Sequence, residues 1–456
     1  MLAAFYTGSV DFGAGALPGN PTEPTKNLAV LQLDTAGVTR WSVALLSQGF
    51  MLAEPLATDG ESNAIVGGAF VDTLSFPGGQ LHGPPYPATT PYVIKLDGDG
   101  HVLWSKEPFK FVTPPGLQDG ASQVAGIAAD RHGNLMITGT VSGAADFGGG
   151  VLEPIGWSDI FVGKLDPAGA LLWVRRFGSS YVEASGQTPS ASSGIAVAVD
   201  PDGDVYVTGS FAGSIDFGDD HPVKGLEHRI FLLKLDAMGH VLWSVSGGSG
   251  SVENTGTNVA VDPMGDVIIT GRYGNSLDLG AGPLPSFPSG NYTPFVAKFL
   301  SSGVPIWSHG YLDGEQGTSI DAYVAVDLSG NGHLAGTLYG SLDLGGVTLH
   351  GTHSDDAFLA LFDPGGQVLY AETLSQAGSP SSQAQIGATA IAVAPACMTL
   401  VAGSFFQAWA PGTSTPSAGG IDIFLAARVR RARFLHGADG DLVGRHDLLM
   451  DQQLPT

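Results

Sequence analysis

The sequence predicts an all-β fold: a seven-bladed β-propeller of four-stranded antiparallel blades, its ring closed by pairing of the chain ends. Three observations carry that expectation. A segment of about 65 residues recurs along the chain, each copy shows strand-period rather than helix-period patterns, and turn residues punctuate the copies at matching places.

The repeat reads most clearly in Asp200-Pro-Asp-Gly-Asp-Val-Tyr-Val-Thr-Gly209-Ser-Phe-Ala-Gly-Ser-Ile-Asp216-Phe-Gly. Its glycine falls at Gly8, Gly68, Gly139, Gly209, Gly271, Gly336 and Gly403, about 60 to 71 residues apart. Ahead of it stands a turn-opening residue, Asp59, Asp130, Asp200, Asp262 and Asp327, with Ala394 in the last copy. Before each turn lies an alternating run. Ala57, Ala128, Ala198, Ala260, Ala325 and Ala392 share one face, and Leu56, Ile127, Val197, Val259, Val324 and Ile391 share the other. A period of two marks a strand. Alanine at one place in six copies suits strands that converge on an axis, where only small side chains fit.

After the glycine-bearing second strand comes an apolar third strand such as Phe231-Leu-Leu-Lys-Leu235, then a short Asp/Gly turn. A fourth strand follows, anchored by an aromatic: Trp41, Trp104, Trp173, Trp243, Trp307 or Tyr370. Four antiparallel strands per copy fit a propeller, whereas a solenoid needs shorter repeats stacked in parallel. The first copy begins at its second strand, Ala4 to Val10, while the seventh is expected to supply all four, ending near Ala432 to His436. The closing segment 437–456 is then expected to add the missing strand, making 1–456 one domain. The alternative is a missing strand upstream of Met1, as in a structural module of a longer polypeptide.

Two segments carry a resemblance: Val-Thr-Gly-Ser-Phe-Ala-Gly-Ser-Ile-Asp-Phe-Gly218 and Asp159-Ile-Phe-Val-Gly-Lys-Leu-Asp166-Pro-Ala-Gly-Ala-Leu-Leu-Trp173. They resemble the SBBP family of bacterial β-propeller repeats over nearly the whole chain. The resemblance implies a bacterial extracellular, periplasmic or cell-surface protein and carries over no catalytic residue. Leu235-Asp-Ala-Met-Gly-His-Val-Leu-Trp243 also looks like the tryptophan-docking repeat of quinoprotein propellers, a likeness of packing. The single Cys397 cannot supply the vicinal cysteine pair those enzymes often carry, so no cofactor is expected.

Composition narrows the function. With 19 Lys+Arg against 43 Asp+Glu and a net charge of −24, binding to nucleic acid is excluded as a main role, because it is dominated by cationic contacts to phosphate. An anionic membrane surface is disfavoured for the same reason. No apolar run is long enough to span a membrane as a helix, and the start lacks a signal-peptide pattern. A monomer is expected.

The first-to-second and third-to-fourth turns are short, whereas the other two connections are long and emerge on one face of a propeller, the usual place for a binding surface. Candidate ligand-binding residues there are Trp157, His228, Tyr311 and Trp409, with Asn258, Asp321 and Tyr323 where first strands enter near the axis. Tyr181, Tyr292 and Glu315 lie in the same loops. Aromatics with carboxylates suit a glycan, a protein or a small molecule. The leading expectation is therefore a non-enzymatic binding module, the alternative a lyase or hydrolase working at the channel mouth.

Asp200, Asp202 and Asp204 have the carboxylate density of a calcium loop. Their equivalents, Asp130-Arg-His-Gly-Asn134 and Asp262-Pro-Met-Gly-Asp266, do not repeat the ligands, so turn chemistry is the simpler reading. Asp11, Asp146, Asp216, Asp278 and Asp343 recur after the second strand as turn-forming carboxylates. His350 and His353 with Asp355 and Asp356 lack the helical spacing that aligns two imidazoles on a metal, and no nucleophile elbow or phosphate loop occurs in a credible context.

Overall fold

The computed structural model of the chain describes residues 1–19, 27–52, 55–85, 88–112, 122–179, 191–219, 222–223, 228–249, 254–285, 292–311, 322–338, 340–351, 355–374, 385–394, 398–406 and 421–429. Two compact units divide the chain, the first formed by Met1–Ala322 and the second beginning at Tyr323. Both are all-β and antiparallel, with no α-helix among the described residues. No helix of the described residues is long and apolar enough to cross a membrane.

The main strands of each copy of the repeat lie in one sheet in chain order, and the first copy's sheet is extended at its edge by Thr73–Phe76 and Gly79–His82 of the second. In the third copy the main strands are Gln123–Ala129, Leu135–Val141, Asp159–Leu165 and Leu171–Phe177. The fourth copy uses Ser192–Val199, Val205–Ala212, His228–Leu235 and Val241–Gly247, and the fifth Thr255–Val261, Val267–Tyr273, Thr293–Phe299 and Pro305–Gly310. The second copy breaks its first strand into Met51–Leu52 and Leu56–Thr58. In the second unit, Ala322–Val326, Gly332–Leu338, Asp356–Phe362 and Val368–Thr373 form one sheet. Gln385–Ala394, Met398–Phe406 and Ile421–Val429 form the next, and the fourth strand expected near Ala432, the closing segment 437–456 and Cys397 lie outside the described residues.

The first copy contributes Leu2–Tyr6, Asn27–Leu33 and Thr39–Ser47. Here the structure shifts the sequence alignment. Ala4 pairs with Ala29, the register place at which Gly139, Gly209 and Gly271 pair with Phe161, Phe231 and Phe295. Gly8 lies beyond the strand at φ +69°, in step with Gly143 and Gly213, which are also left-handed. The true equivalent of the repeat glycine in the first copy is therefore Ala4.

The register also explains the glycine. The first strand bulges opposite it, between Val124 and Gly126, Gly194 and Ala196, and Gly256 and Asn258. The bulge pushes the carbonyl oxygens of Gln123, Ser193 and Thr255 into the space that a Cβ at Gly139, Gly209 and Gly271 would occupy. From the other side the cross-strand Phe ring closes over the same Cα, at 2.9 Å from a Cβ built on Gly139.

Apolar side chains on both faces are explained by what fills the space between sheets. Met136, Ile160 and Val162 of the third sheet share one cluster with Val197, Val207, Phe231 and Leu233 of the fourth. Tyr206, Ile230 and Leu232, on the other face of the fourth, pack with Val259, Ile269 and Phe295 of the fifth. A sheet sandwiched between two others loses the polar-out alternation of a one-sided sheet.

Candidate functional site

The two ends of each sheet are built differently. At the short-turn end the turn aspartates, the fourth-strand indoles and the third-strand lysines are committed to structure. In the first-to-second turn of the third copy, the Asp130 carboxylate accepts the N–H groups of His132 and Asn134, both at 2.9 Å, and Asp200, Asp262 and Asp327 do the same in theirs. In the third-to-fourth turn, Asp166 accepts from Ala168 and Ala170, and the left-handed Gly169 completes the turn. Across that turn lies the tryptophan of the preceding copy. Trp41, Trp104, Trp173 and Trp243 donate their indole N–H to the carbonyl oxygens of Gly98, Pro167, Ala237 and Ser301 at 2.8, 3.0, 3.1 and 3.1 Å. The rings of Trp41, Trp173 and Trp243 lie so close over Gly100, Gly239 and Gly303 that a Cβ there would overlap them, and the Trp104 ring lies 3.3 Å from a Cβ built on Gly169.

Beneath the turns runs a series of buried ion pairs that the sequence reading missed. Lys95, Lys164 and Lys298 of the third strands meet Asp59, Asp130 and Asp262 at 2.8, 3.3 and 3.0 Å. Lys234 lies 3.6 Å from Asp200 and 3.0 Å from Asp204. The turn considered for calcium therefore already faces an ammonium group. Burial alone would raise the Asp59 and Asp130 carboxyls; the bonds from Lys95 and Asn63, and from Asn134, His132 and Lys164, outweigh it and hold both below the ordinary value. Burial likewise lowers Lys234, but Tyr206 and Asp204 reverse it, leaving a net rise.

The sixth copy departs from this rule. Leu361 stands where the second to fifth copies carry lysine, and His333, directly across from it, supplies the cation's place instead. Its Nε2 lies 3.3 Å from Asp327 and its Nδ1 2.6 Å from the Thr399 hydroxyl. The order hydroxyl, imidazole, carboxylate is that of an activated nucleophile. Thr399 is 4% exposed and His333 2%, so no substrate reaches the hydroxyl, and the chain is a substitute for the lysine pair.

The long-connection end has turn carboxylates of its own: Asp146 accepts the N–H groups of Gly148 and Gly150 at 2.8 and 3.2 Å, and Asp278 those of Gly280 and Gly282 at 2.8 and 3.2 Å. Trp157 is half-buried on the connection between the second and third strands of the third copy. That connection is tied to one guanidinium. Arg176 Nε donates to Asp159 at 2.7 Å and its Nη1 donates to the carbonyls of Gly143 and Leu152, both at 2.9 Å. Asp159 in turn accepts the N–H groups of Ile155 and Gly156, both at 2.8 Å. Sequence reasoning named Trp157 but not this clamp, whose two residues lie 17 apart on different strands.

His228 opens its third strand, and its carbonyl accepts from Asn254 Nδ2 at 2.7 Å, so its backbone joins the fourth sheet to the fifth. Tyr311 is buried, 6.2 Å from His309 in a line of rings that begins at Trp307; burial pushes its hydroxyl far up, and it belongs to the packing of its own sheet. Tyr292 lies 5.0 Å under the Arg272 guanidinium. Asn258 and Tyr323 are half-buried on first strands, each one place before the aliphatic Val259 and Val324, where the third, fourth and seventh copies carry Gly126, Ala196 and Ala390. Tyr181, Glu315, Asp321 and Trp409 lie outside the described residues, as does His353.

His350 is exposed, Asp356 is buried, and Asp355 is raised, first by burial and then by its neighbour Asp356. The groups of Asp97, Asp99 and His101 lie within 4.8 Å of one another at an exposed turn, where the Asp97 carboxylate already accepts the N–H groups of Asp99 and His101.

No family model matches the chain, and no curated protein matches it. The resemblance to SBBP repeats thus rests on the quoted segments alone. Among solved structures, a protein of unknown function from Dyadobacter fermentans is similar at 13% identity over 88% of this chain and 98% of its own, with a TM-score of 0.41. The intramolecular trans-sialidase from Ruminococcus gnavus is similar at 9% identity over 78% and 90%, TM-score 0.42. An ulvan lyase, a polysaccharide lyase, is similar at 11% identity over 88% and 91%, TM-score 0.44. None of these likenesses carries a site residue across to this chain.

Proposed function

We propose that the chain is a non-enzymatic binding module that recognises a glycan or protein partner through its long-connection end. The observation that carries this reading is the contrast between the two ends. At one the fourth-strand indoles are docked and the third-strand lysines are paired, while the other presents Trp157, which among the described residues has no acceptor for its indole N–H, on a connection fixed by Arg176 and Asp159. The finer architecture belongs to the same proposal. The copies form one seven-bladed propeller of the SBBP type, its ring closed by pairing of the chain ends through 437–456, and the protein works outside the cytoplasm. A thermal-shift screen against oligosaccharides, calcium and small metabolites tests it, because a ligand selective for the folded state raises Tm by mass action. A rise with one class identifies the ligand; no rise with any, and no partner retained from the organism's exterior, sinks the reading.

A second reading, a lyase or hydrolase at the channel mouth, is favoured by Tyr323. It places a phenolic side chain at a first-strand position where the third, fourth and seventh copies carry Gly126, Ala196 and Ala390. Turnover of a polysaccharide that disappears in Tyr323→Phe or Asp321→Asn, with the fold intact, would establish it.

A further inference from the structure

Trp157 is used differently from the tryptophans of the fourth strands. Trp41, Trp104, Trp173 and Trp243 each place a ring over a glycine turn and donate the indole N–H to a carbonyl of the next copy. Trp157 lies on a connection, is half-buried, and among the described residues its indole N–H has no acceptor and its ring no aromatic or cationic partner. A tryptophan sequestered for packing ordinarily finds an acceptor for its N–H.

The connection that carries it is held from several sides. Arg176 and Asp159 are almost fully buried, at 4% and 0% side-chain exposure, and between them bind the backbone at Gly143, Leu152, Ile155 and Gly156. Ser158 is anchored to the next sheet, its carbonyl accepting the Ser192 N–H at 3.0 Å. Gly178 lets the fourth strand pass close by, since a Cβ there would meet Ile155 at 2.6 Å and overlap the Asp159 carboxylate. The fourth and fifth copies have Ser246 and Gly310 at the place of Arg176, so the clamp is a device of the third copy.

We propose that Trp157 is a stacking platform for a neutral polysaccharide and that Arg176 and Asp159 are the positioning residues that fix it; this rests on the reading of the long-connection end as a binding surface. A ring on a clamped backbone, with an N–H donor that has no acceptor among the described residues, flanked by exposed Ile155 and the exposed carboxylate of Glu153, offers an apolar plane, a donor and an acceptor within one connection. That set complements the C–H face and hydroxyl groups of a pyranose. An anionic polymer would approach a chain of net charge −24, so repulsion disfavours uronates and sulfated sugars. A basic peptide would be drawn by the charge, but peptides dock along open strand edges or in grooves, and this connection is neither. Preorganisation matters because ordering a loop on binding subtracts from affinity.

The test is calorimetric titration of the full chain with soluble xylan, mannan and β-glucan, with polygalacturonate as the anionic counterpart and an oligolysine as the basic-peptide arm. A neutral polymer should bind and polygalacturonate should not. Trp157→Ala should weaken binding about tenfold or more at an unchanged urea midpoint. Arg176→Lys should weaken it comparably and speed amide exchange in 153–158 while exchange in the strand Asp159–Leu165 is kept. Asp159→Asn, which preserves an acceptor for the Gly156 N–H, serves if the lysine variant does not fold. Neutral-polymer binding that survives Trp157→Ala overturns the inference and leaves the binding-surface reading standing. Oligolysine binding lost in Trp157→Ala overturns the ligand class. Affinity unchanged in Arg176→Lys with a loosened connection overturns the positioning role. Binding of none of the five polymers overturns both the inference and the glycan reading beneath it.

Discussion

Removing Lys164 tests the buried ion pairs most directly. In Lys164→Leu the aliphatic volume is largely kept, but Asp130 loses an ammonium at 3.3 Å in a site where both side chains are under a tenth exposed. Breaking a buried pair by deleting one partner costs about 3–5 kcal/mol, because the remaining charge is stranded. Asp130 keeps its bonds from the backbone of His132 and Asn134 and from Asn134 Nδ2, so the low end, about 3 kcal/mol, is expected. The double variant Lys164→Leu/Asp130→Asn removes both charges and leaves an acceptor for the turn, and it should recover most of that loss. Met136→His added to Lys164→Leu should recover part of it by another route, since it copies the arrangement of His333 across from Leu361. Urea unfolding followed by tryptophan emission reads all three. A single variant within about 0.5 kcal/mol of the parent, or a double variant no better than the single, would refute the argument that the lysines neutralise stranded carboxylates.

Other substitutions and pH separate the remaining devices. Gly209→Ala should cost about 3 kcal/mol or more, because the Ser193 carbonyl and the Phe231 ring occupy the added methyl's place; Gly8→Ala, left-handed but in open space, should cost about 1 kcal/mol, and equal costs would restore the original alignment. Trp243→Phe should lose about 1 kcal/mol with the indole bond to Ser301, measured as a shift of the urea midpoint. The lowered carboxyls of Asp59, Asp130 and Asp327 contribute stability that is full above the unfolded aspartate value of about 3.9 and is lost as pH falls through their folded values. The raised Lys234 contributes below the ordinary lysine value and loses its share as pH rises through its folded one. Tm should therefore be flat between these limits and fall on both sides; a Tm that changes little well below pH 4 would contradict the pairing.

Much of this was legible in the sequence because it is periodic. The Asp-x-x-Gly turns, the first-strand alanines and the fourth-strand tryptophans are local or repeat at a fixed interval, and the structure puts each on the element expected. What sequence could not show was register. Gly8 satisfies the motif by eye, yet only strand pairing shows that Ala4 faces Ala29. The lysines drew no expectation from sequence, since nothing local says that Lys164 reaches back across the sheet to Asp130. Trp157 was recognisable as an unassigned aromatic, whereas the Arg176–Asp159 clamp joins residues of different strands and has no local signature.

The docked tryptophans all point one way along the chain. Trp41, Trp104, Trp173 and Trp243 find their acceptors 57 to 64 residues downstream, never upstream. As the polypeptide leaves the ribosome, each finished sheet therefore carries an indole whose berth has not yet been made, and the newest copy is left unlatched until its successor emerges. Growth is vectorial by construction. A ribosome stalled one copy short would hold a chain whose last tryptophan stays open to solvent quenchers and proteases, and release of one further copy would close it.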